Sequence, residues 1–225
     1  MIELSNVSYS YGDRRLFSEI SLALPAGSFH FLTGPSGSGK TTLLKLLYLE
    51  LRPQAGQIAV FGEDAAGLDR DQVALTRQRI GIVHQDCRFL DHLSLVENIA
   101  LPLTVAGRNV AAERKNMNEL LAWVGLGAQA GSTPPQLSGG ERQRAALARA
   151  VILSPDLVLA DEPTGNVDWE MSTRLLTLLI ELNRMGKTVL IATHDLHLIR
   201  QAKAQVSARV LRIRDGGLQL AGSDL

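Results

Sequence analysis

Cysteine is almost absent: Cys87 is the one such residue among 225. A lone thiol excludes an intramolecular disulfide framework and fits a reducing compartment. Aromatic residues make up 4% of the chain, so its core must be aliphatic. Net charge is missing too, because Lys plus Arg and Asp plus Glu both number 23. That argues against a dedicated nucleic-acid binder, which carries a basic excess. Apolar runs such as Val189 to Ala192 fall far short of the ~20 residues that cross a bilayer. Met1-Ile2-Glu3-Leu4 has neither a basic start nor an apolar stretch, so no signal peptide is expected. What remains is a cytosolic, aliphatic, globular chain, long enough to bury about 70% of its extended surface. Any membrane role would need a partner.

Strand and helix patterns alternate. Ile2 to Tyr11 alternates with period two, as a half-buried strand does. Ile20 to Leu24 and Phe29 to Thr33 flank Pro25-Ala26-Gly27, which predicts a hairpin. Leucines at helical spacing predict a helix over 40–51, and further helices are expected over 110–124, 141–153 and 168–185. Short strands are expected at 57–61 and 80–83. Leu157 to Ala160 and Thr188 to Thr193 are apolar without alternation, which predicts central parallel strands covered on both faces. Arg209 to Ile213, Asp215-Gly216-Gly217 and Leu218 to Leu220 predict a closing hairpin. Roughly Leu90 to Pro135 lacks strand signals and reads as a helical lobe inserted into an α/β core.

Gly34-Pro35-Ser36-Gly37-Ser38-Gly39-Lys40-Thr41 fits G-x-x-x-x-G-K-[ST], between an apolar strand and a helix. Glycines let successive N–H groups face one anion, and the helix N-terminus after Gly39 adds its positive end. Lys40 is placed to reach the β- and γ-phosphates of a nucleotide, with the Thr41 hydroxyl on Mg²⁺ and Thr42 beside it. A second feature is Asp161-Glu162, two carboxylates at the carboxyl end of a buried strand, where open α/β sheets hold ligands. Asp161 is the candidate Mg²⁺-side carboxylate and Glu162 the candidate group that orients or deprotonates the attacking water.

With these in place, Leu137-Ser138-Gly139-Gly140-Glu141-Arg142-Gln143 resembles the signature of the ATP-binding-cassette (ABC) ATPases, and the likeness covers the whole chain. The resemblance implies an α/β phosphate-loop NTPase core, a mixed sheet with flanking helices, joined by an antiparallel β subdomain and the inserted helical one. It also implies roles: Tyr11 stacks on adenine, Gln85 links Mg²⁺ to the helical lobe, Asp168 lies in a dimer-contact loop, and His194 contacts the γ-phosphate. In such a family the signature (Ser138, Gly139, Gly140, Glu141) of one copy closes over ATP held by another, in a head-to-tail homodimer. From the residues themselves, Ser138 opens a helix, a second anion-binding N-terminus in the same chain. His30, His84, His92 and His197 read as structural or solvated, and Cys87 as an idle thiol.

Within the family, Asn98-Ile99-Ala100-Leu101-Pro102-Leu103 and Ala160-Asp161-Glu162-Pro163-Thr164-Gly165-Asn166, among other stretches, resemble the branch that works in cell division. Val167, His84 and Tyr48-Leu49-Glu50 depart from its usual pattern without touching a catalytic role. The resemblance implies a polytopic membrane protein as partner, no nucleic acid, and a place on the cytoplasmic side of the inner membrane. ATPases that export lipoproteins or macrolides share several stretches, and a nucleotide-gated scaffold is a third reading; Glu162 and His194 argue against the scaffold. Phe89, Leu90, Leu93, Leu95, Val96, Ile99, Leu101 and Leu103 are too many apolar groups for one amphipathic face, so an exposed remainder would mark an interface. Arg200, Lys203, Arg209, Arg212 and Arg214 form a basic run that reads as a solvated face.

Overall fold

The computed structural model describes residues 1–165 and 167–221; Asn166 of the quoted motif and residues 222–225 of the expected single 1–225 domain lie outside the described residues. The chain opens with β1 (Ile2–Tyr11) and β2 (Arg14–Leu24), joined by a tight turn with Gly12 at φ 54°. Then come β3 (Phe29–Thr33), α1 (Lys40–Leu47), β4 (Ala55–Val60), β5 (Glu63–Asp64), α2 (Arg70–Gln78) and β6 (Ile80–Val83). The helices α3 (Leu95–Val105), α4 (Arg114–Trp123) and α5 (Gly139–Val151) follow, and then β7 (Leu157–Asp161), α6 (Trp169–Arg184), β8 (Thr188–Ala192) and α7 (Leu196–Lys203). The last strands are β9 (Ala208–Arg214) and β10 (Gly217–Leu220).

Two sheets result. One is antiparallel, in the order β2-β1-β4-β5; the other is six-stranded, β10-β9-β3-β8-β7-β6, with parallel pairing from β9 to β6. Every residue of β3, β7 and β8 is buried. Such strands need parallel neighbours and helices on both faces. This overturns the hairpin expected around Pro25-Ala26-Gly27. A turn forms there, but Leu24 pairs with Ile2, whereas Phe29 pairs with Val189 and Ala208. The turn hands the chain from one sheet to the other.

Between the sheets, α1 buries Leu43, Leu44, Leu46 and Leu47 against Leu32, Leu159 and Leu190. The other face of the parallel sheet is covered by α5 and α6 through Ala145, Ala146, Leu175 and Leu179. Among the described residues no strand lies between Val83 and Leu157, and that segment holds α3, α4, α5 and two short 3-10 turns. The basic run divides: Arg209, Arg212 and Arg214 are exposed along β9 while Val210, Leu211 and Ile213 point inward.

Candidate functional site

Four parallel strands point their carboxyl ends at one place. The phosphate loop leaves β3, Gln85 follows β6, Asp161 ends β7 with Glu162 next, and His194 follows β8. They line one cleft of about 680 Å³, together with Tyr11, Pro35, Ser36, Gly37, Thr41 and Thr42.

The loop's shape follows from its glycines. Gly39, the N-cap of α1, sits at φ 103°, and a Cβ there would lie 2.7 Å from the Phe17 ring. At Gly34 a Cβ would meet Ser38 Oγ at 2.6 Å and the Ile213 carbonyl at 3.0 Å. The backbone can curl only because these positions lack side chains. Lys40 Nζ donates to the Gly34 carbonyl at 3.0 Å and stands 3.7 Å from Glu162 Oε1. Ser38 Oγ is buried with no partner in the protein, so a polar group is free to meet an anion in the loop.

Asp161 is buried, and its Oδ1 has no partner. Burial raises its pKa above the usual carboxylate value; the Thr41 hydroxyl hydrogen bond works in the opposite direction, and the charge of Glu162 adds to the rise. An orphaned carboxylate oxygen beside the Thr41 hydroxyl and the Gln85 amide is an oxygen donor set, which suits a hard cation such as Mg²⁺. Among the described residues no group of three or more His, Cys, Asp or Glu is arranged as a metal cage, and Mg²⁺ with a nucleotide needs none, since phosphates and waters complete its shell.

Glu162 itself has φ 45°, and its N–H donates to the Ala192 carbonyl at 2.8 Å, which fixes where its side chain leaves the backbone. Its two carboxylate oxygens lie 3.0 and 3.1 Å from His194 Nδ1. A carboxylate held between an imidazole and an ammonium beside a phosphate loop can orient a water and accept its proton.

Tyr11 stands at the rim, 49% exposed, edge-on to Tyr9 at 5.1 Å. Gln85 lines the cleft, and its carbonyl accepts from Gln143 Nε2 of α5 at 3.3 Å. Cys87 is buried and its thiol is pushed up to about 11 by burial, so it stays protonated and unreactive.

Two groups of residues lie apart from the cleft. Ser138, Gly139, Gly140 and Glu141 open α5 in a capping box: Ser138 Oγ accepts from the Glu141 N–H and the Glu141 carboxylate accepts from the Ser138 N–H at 2.8 Å. The Ser138 N–H and then the Ser138 hydroxyl, both donating to the Glu141 carboxylate, hold its carboxyl below its usual pKa. Asp168 caps α6, its Oδ1 accepting from the Met171 N–H at 2.8 Å. Met171 also covers Gly140, where a Cβ would meet Met171 Cγ at 3.0 Å. The two helix starts are thus neighbours on a surface separate from the phosphate cleft.

Sequence reasoning missed Arg14, whose guanidinium donates to the Gly37 carbonyl at 3.0 Å and pins the loop to the β1–β2 turn. Leu16 and Gly165 also line the cleft unforeseen. The one available signal for Arg14 was Gly12-Asp13, a turn that folds it back beside Tyr11.

Comparison with known proteins gives the family. Residues 17–165 match the family described as ABC transporter. The cell division ATP-binding protein FtsE of Haemophilus influenzae is 46% identical over 203 residues, 89% of this chain and 93% of that protein. FtsE of Escherichia coli is 42% identical over 219 residues, 97% of each chain. Among solved structures, a dimeric post-hydrolysis state of the ATP-binding cassette MJ0796 bound to ADP and Pi superposes with TM-score 0.87 at 33% identity, covering 97% of both chains. The family match over most of the chain and the FtsE relatives along nearly all of it show that the chain belongs to the ABC transporter family as an ABC ATPase that resembles FtsE.

Proposed function

We propose that this chain is the ATP-binding and hydrolysing subunit of an FtsE-like complex acting in cell division, with an FtsX-like polytopic membrane protein as partner. The observation that carries the reading is the convergence of Lys40, Glu162 and His194 in one cleft, in a chain 38–46% identical to FtsE proteins over nearly its whole length. The loop amides from Gly34 to Thr42 hold the phosphates, and Lys40 offsets charge at the β/γ positions. Tyr11 offers a ring to the base. Thr41, Asp161 and Gln85 would hold Mg²⁺, directly or through water; when bound, the ion neutralises charge on the phosphate oxygens. Glu162 orients the attacking water and takes its proton, and His194 holds the Glu162 carboxylate in place and faces the γ-phosphate. Ser138 to Glu141 would complete the site from a second copy, with Asp168 at the contact, in a head-to-tail ATP-dependent dimer.

Neither export of a lipoprotein or macrolide nor a scaffold role is favoured. The macrolide exporter MacB of Hyphomonas neptunium is 40% identical, but the match spans 34% of that protein, whereas the FtsE relatives match along 90–97% of theirs. Among the described residues no helix is long and apolar enough to cross a membrane; the proposed place at the inner membrane is through the FtsX-like partner. Of the apolar stretch expected to dock it, Leu95, Ile99 and Leu103 are core of the helical lobe; Leu90 is 44% exposed, with Phe89 and Leu93 half-buried beside it. Val96 and Leu101 of α3 are half-buried as well, so the proposed docking surface centres on Leu90 and runs onto α3.

Glu162→Gln tests the hydrolytic reading. The isosteric amide should keep ATP binding and lower turnover by ~10²–10⁴-fold; unchanged hydrolysis would remove Glu162 from its role. For the partner, Leu90→Asp should release the chain from membranes while sparing its ATPase activity and its melting temperature. Retention on membranes lacking an FtsX-like protein would refute the docking account.

A further inference from the structure

The loop that carries Gln85 is held in an unusual shape. Cys87 and Arg88 sit consecutively in the left-handed region, at φ 58° and 45°, though neither is glycine. Side chains there are strained, and such a conformation persists only when the surroundings enforce it. The enforcing group is Arg149, in the last turn of α5. Its guanidinium forks onto two successive carbonyls: one nitrogen donates to Arg88 O at 2.7 Å and the other to Cys87 O. The same guanidinium lies 4.5 Å from the centre of the Phe89 ring. Three consecutive residues after Gln85 and Asp86 are therefore gripped by one side chain.

The base of the grip is rigid. Gly81 of β6 lies against α5 so closely that a Cβ would fall 2.3 Å from the Ala150 carbonyl. Four residues beyond Gly81 the chain reaches Gln85, whose carbonyl takes the Gln143 amide from the same helix. At its other end α5 starts at Ser138, in the capping box. One straight helix thus carries the Ser138 N-terminus at one end and the fork on the Gln85 loop at the other, roughly 17 Å along its axis.

We infer that Arg149 is a positioning residue for ATP hydrolysis: by forking onto the carbonyls of Cys87 and Arg88 it holds the strained loop that aims Gln85 into the phosphate cleft, and ties that loop to the helix opened by Ser138. The planar fork is essential. A lysine ammonium on a flexible stem can satisfy one carbonyl but cannot fix two at a set angle. This rests on the proposed role of Gln85 at the nucleotide, and the test separates the two.

Turnover and KM for MgATP are measured for the full chain and for Arg149→Lys, Gln85→Ala, their double variant, and Arg149→Lys combined with Arg88→Gly. Arg149→Lys should lower kcat at least ~10-fold with KM within about twofold, because displacing a positioned group by about 1 Å is enough to cost that much. In the Gln85→Ala background the same change should have no further effect, since both act through one amide. Glycine at 88 accepts the left-handed backbone without strain, so Arg149→Lys with Arg88→Gly should recover part of the lost rate. Thermal melts identify any variant that fails to fold, and Arg149→Gln, which keeps a planar donor, then takes its place. If Gln85→Ala turns over at the full rate, the reading of Gln85 fails. If Gln85→Ala is slow while Arg149→Lys is fast, or the two losses multiply, or glycine at 88 rescues nothing, the positioning role of Arg149 is overturned.

Discussion

His30 is the residue whose burial has the clearest consequence. It lies in the middle of β3 with 1% of its surface exposed and Nδ1 without a partner, paired in register with Arg209 across the sheet. Burial, and after it the Arg209 charge, lowers its pKa from 6.5 to about 4. The unfolded chain therefore takes up a proton near pH 6.5, while the folded chain stays neutral until about pH 4. Stability is full above the unfolded value, falls as pH drops through that window, and the loss levels off below it, at an order of 2–3 kcal/mol. His30→Leu removes the titration, so its urea midpoint should fall less than the wild type's between pH 7.5 and pH 5. Parallel losses in both proteins would show that His30 plays no part. In the cleft, in contrast, Asp161 is buried and its pKa raised, yet a hydroxyl and an ammonium stand beside it and oppose the rise.

At the scale of elements, the start of α1 is the most sensitive junction. Gly39 combines φ 103° with a Cβ position 2.7 Å from the Phe17 ring, so Gly39→Ala must displace either the loop or β2. It should reduce ATP affinity by more than ~10-fold, measured by nucleotide titration, while Gly107→Ala, also at positive φ but with nothing within 4 Å, should leave affinity unchanged. Equal affinities for both would mean the loop tolerates the displacement. The same junction was legible beforehand because its pattern is a local chemical demand: glycines, a lysine and a hydroxyl at fixed spacing. The buried strands β6, β7 and β8 were legible from their apolar runs. By contrast, α2 and α7 escaped notice because they are short: α2 buries only Thr76 and rests on its Asp69 cap, and the eight residues of α7 carry their buried stripe, Leu198, Ile199 and Ala202, over barely two turns behind the Asp195 cap. The expected helix over 40–51 stops at Leu47 because Leu49 turns left-handed at φ 63°. The false hairpin at Pro25 arose because a turn signal tells where the chain bends and says nothing of which sheet receives it. Arg14 and Arg149 were invisible for a related reason. Their partners are backbone carbonyls, of Gly37 in one case and of Cys87 and Arg88 in the other, and a carbonyl has no sequence signature.

At the scale of the whole molecule, the separation of the phosphate cleft from the Ser138 helix poses the largest question. One chain presents two helix starts on different surfaces, α1 at Gly39 and α5 at Ser138, and a helix start favours an anion. A helix start can help a γ-phosphate only at close range, because the dipole effect fades within a turn. A second copy can bring its Ser138 over the first copy's cleft, and the two-fold symmetry then makes two equal composite sites. The MJ0796 relatives are dimeric structures with TM-scores of 0.87 and 0.88 to this chain, so the fold is compatible with a dimer. The arrangement makes a specific demand on mixed variants. Lys40→Ala disables the loop of its own chain, and Ser138→Arg obstructs the helix start it lends. Each homodimer has two damaged sites. In the mixed dimer, one site receives both lesions and the other receives neither. Single-turnover hydrolysis, which one intact site can perform once, should therefore be negligible for each variant alone and recover on mixing to about a quarter of the wild-type sites, if subunits pair at random. Differently tagged subunits confirm that mixed dimers form. If Ser138 acted within its own chain, every subunit in the mixture would stay damaged and no activity would return, so confirmed mixed dimers without recovered turnover would refute the composite site. Wild-type turnover by Ser138→Arg alone would refute any part for Ser138 in hydrolysis.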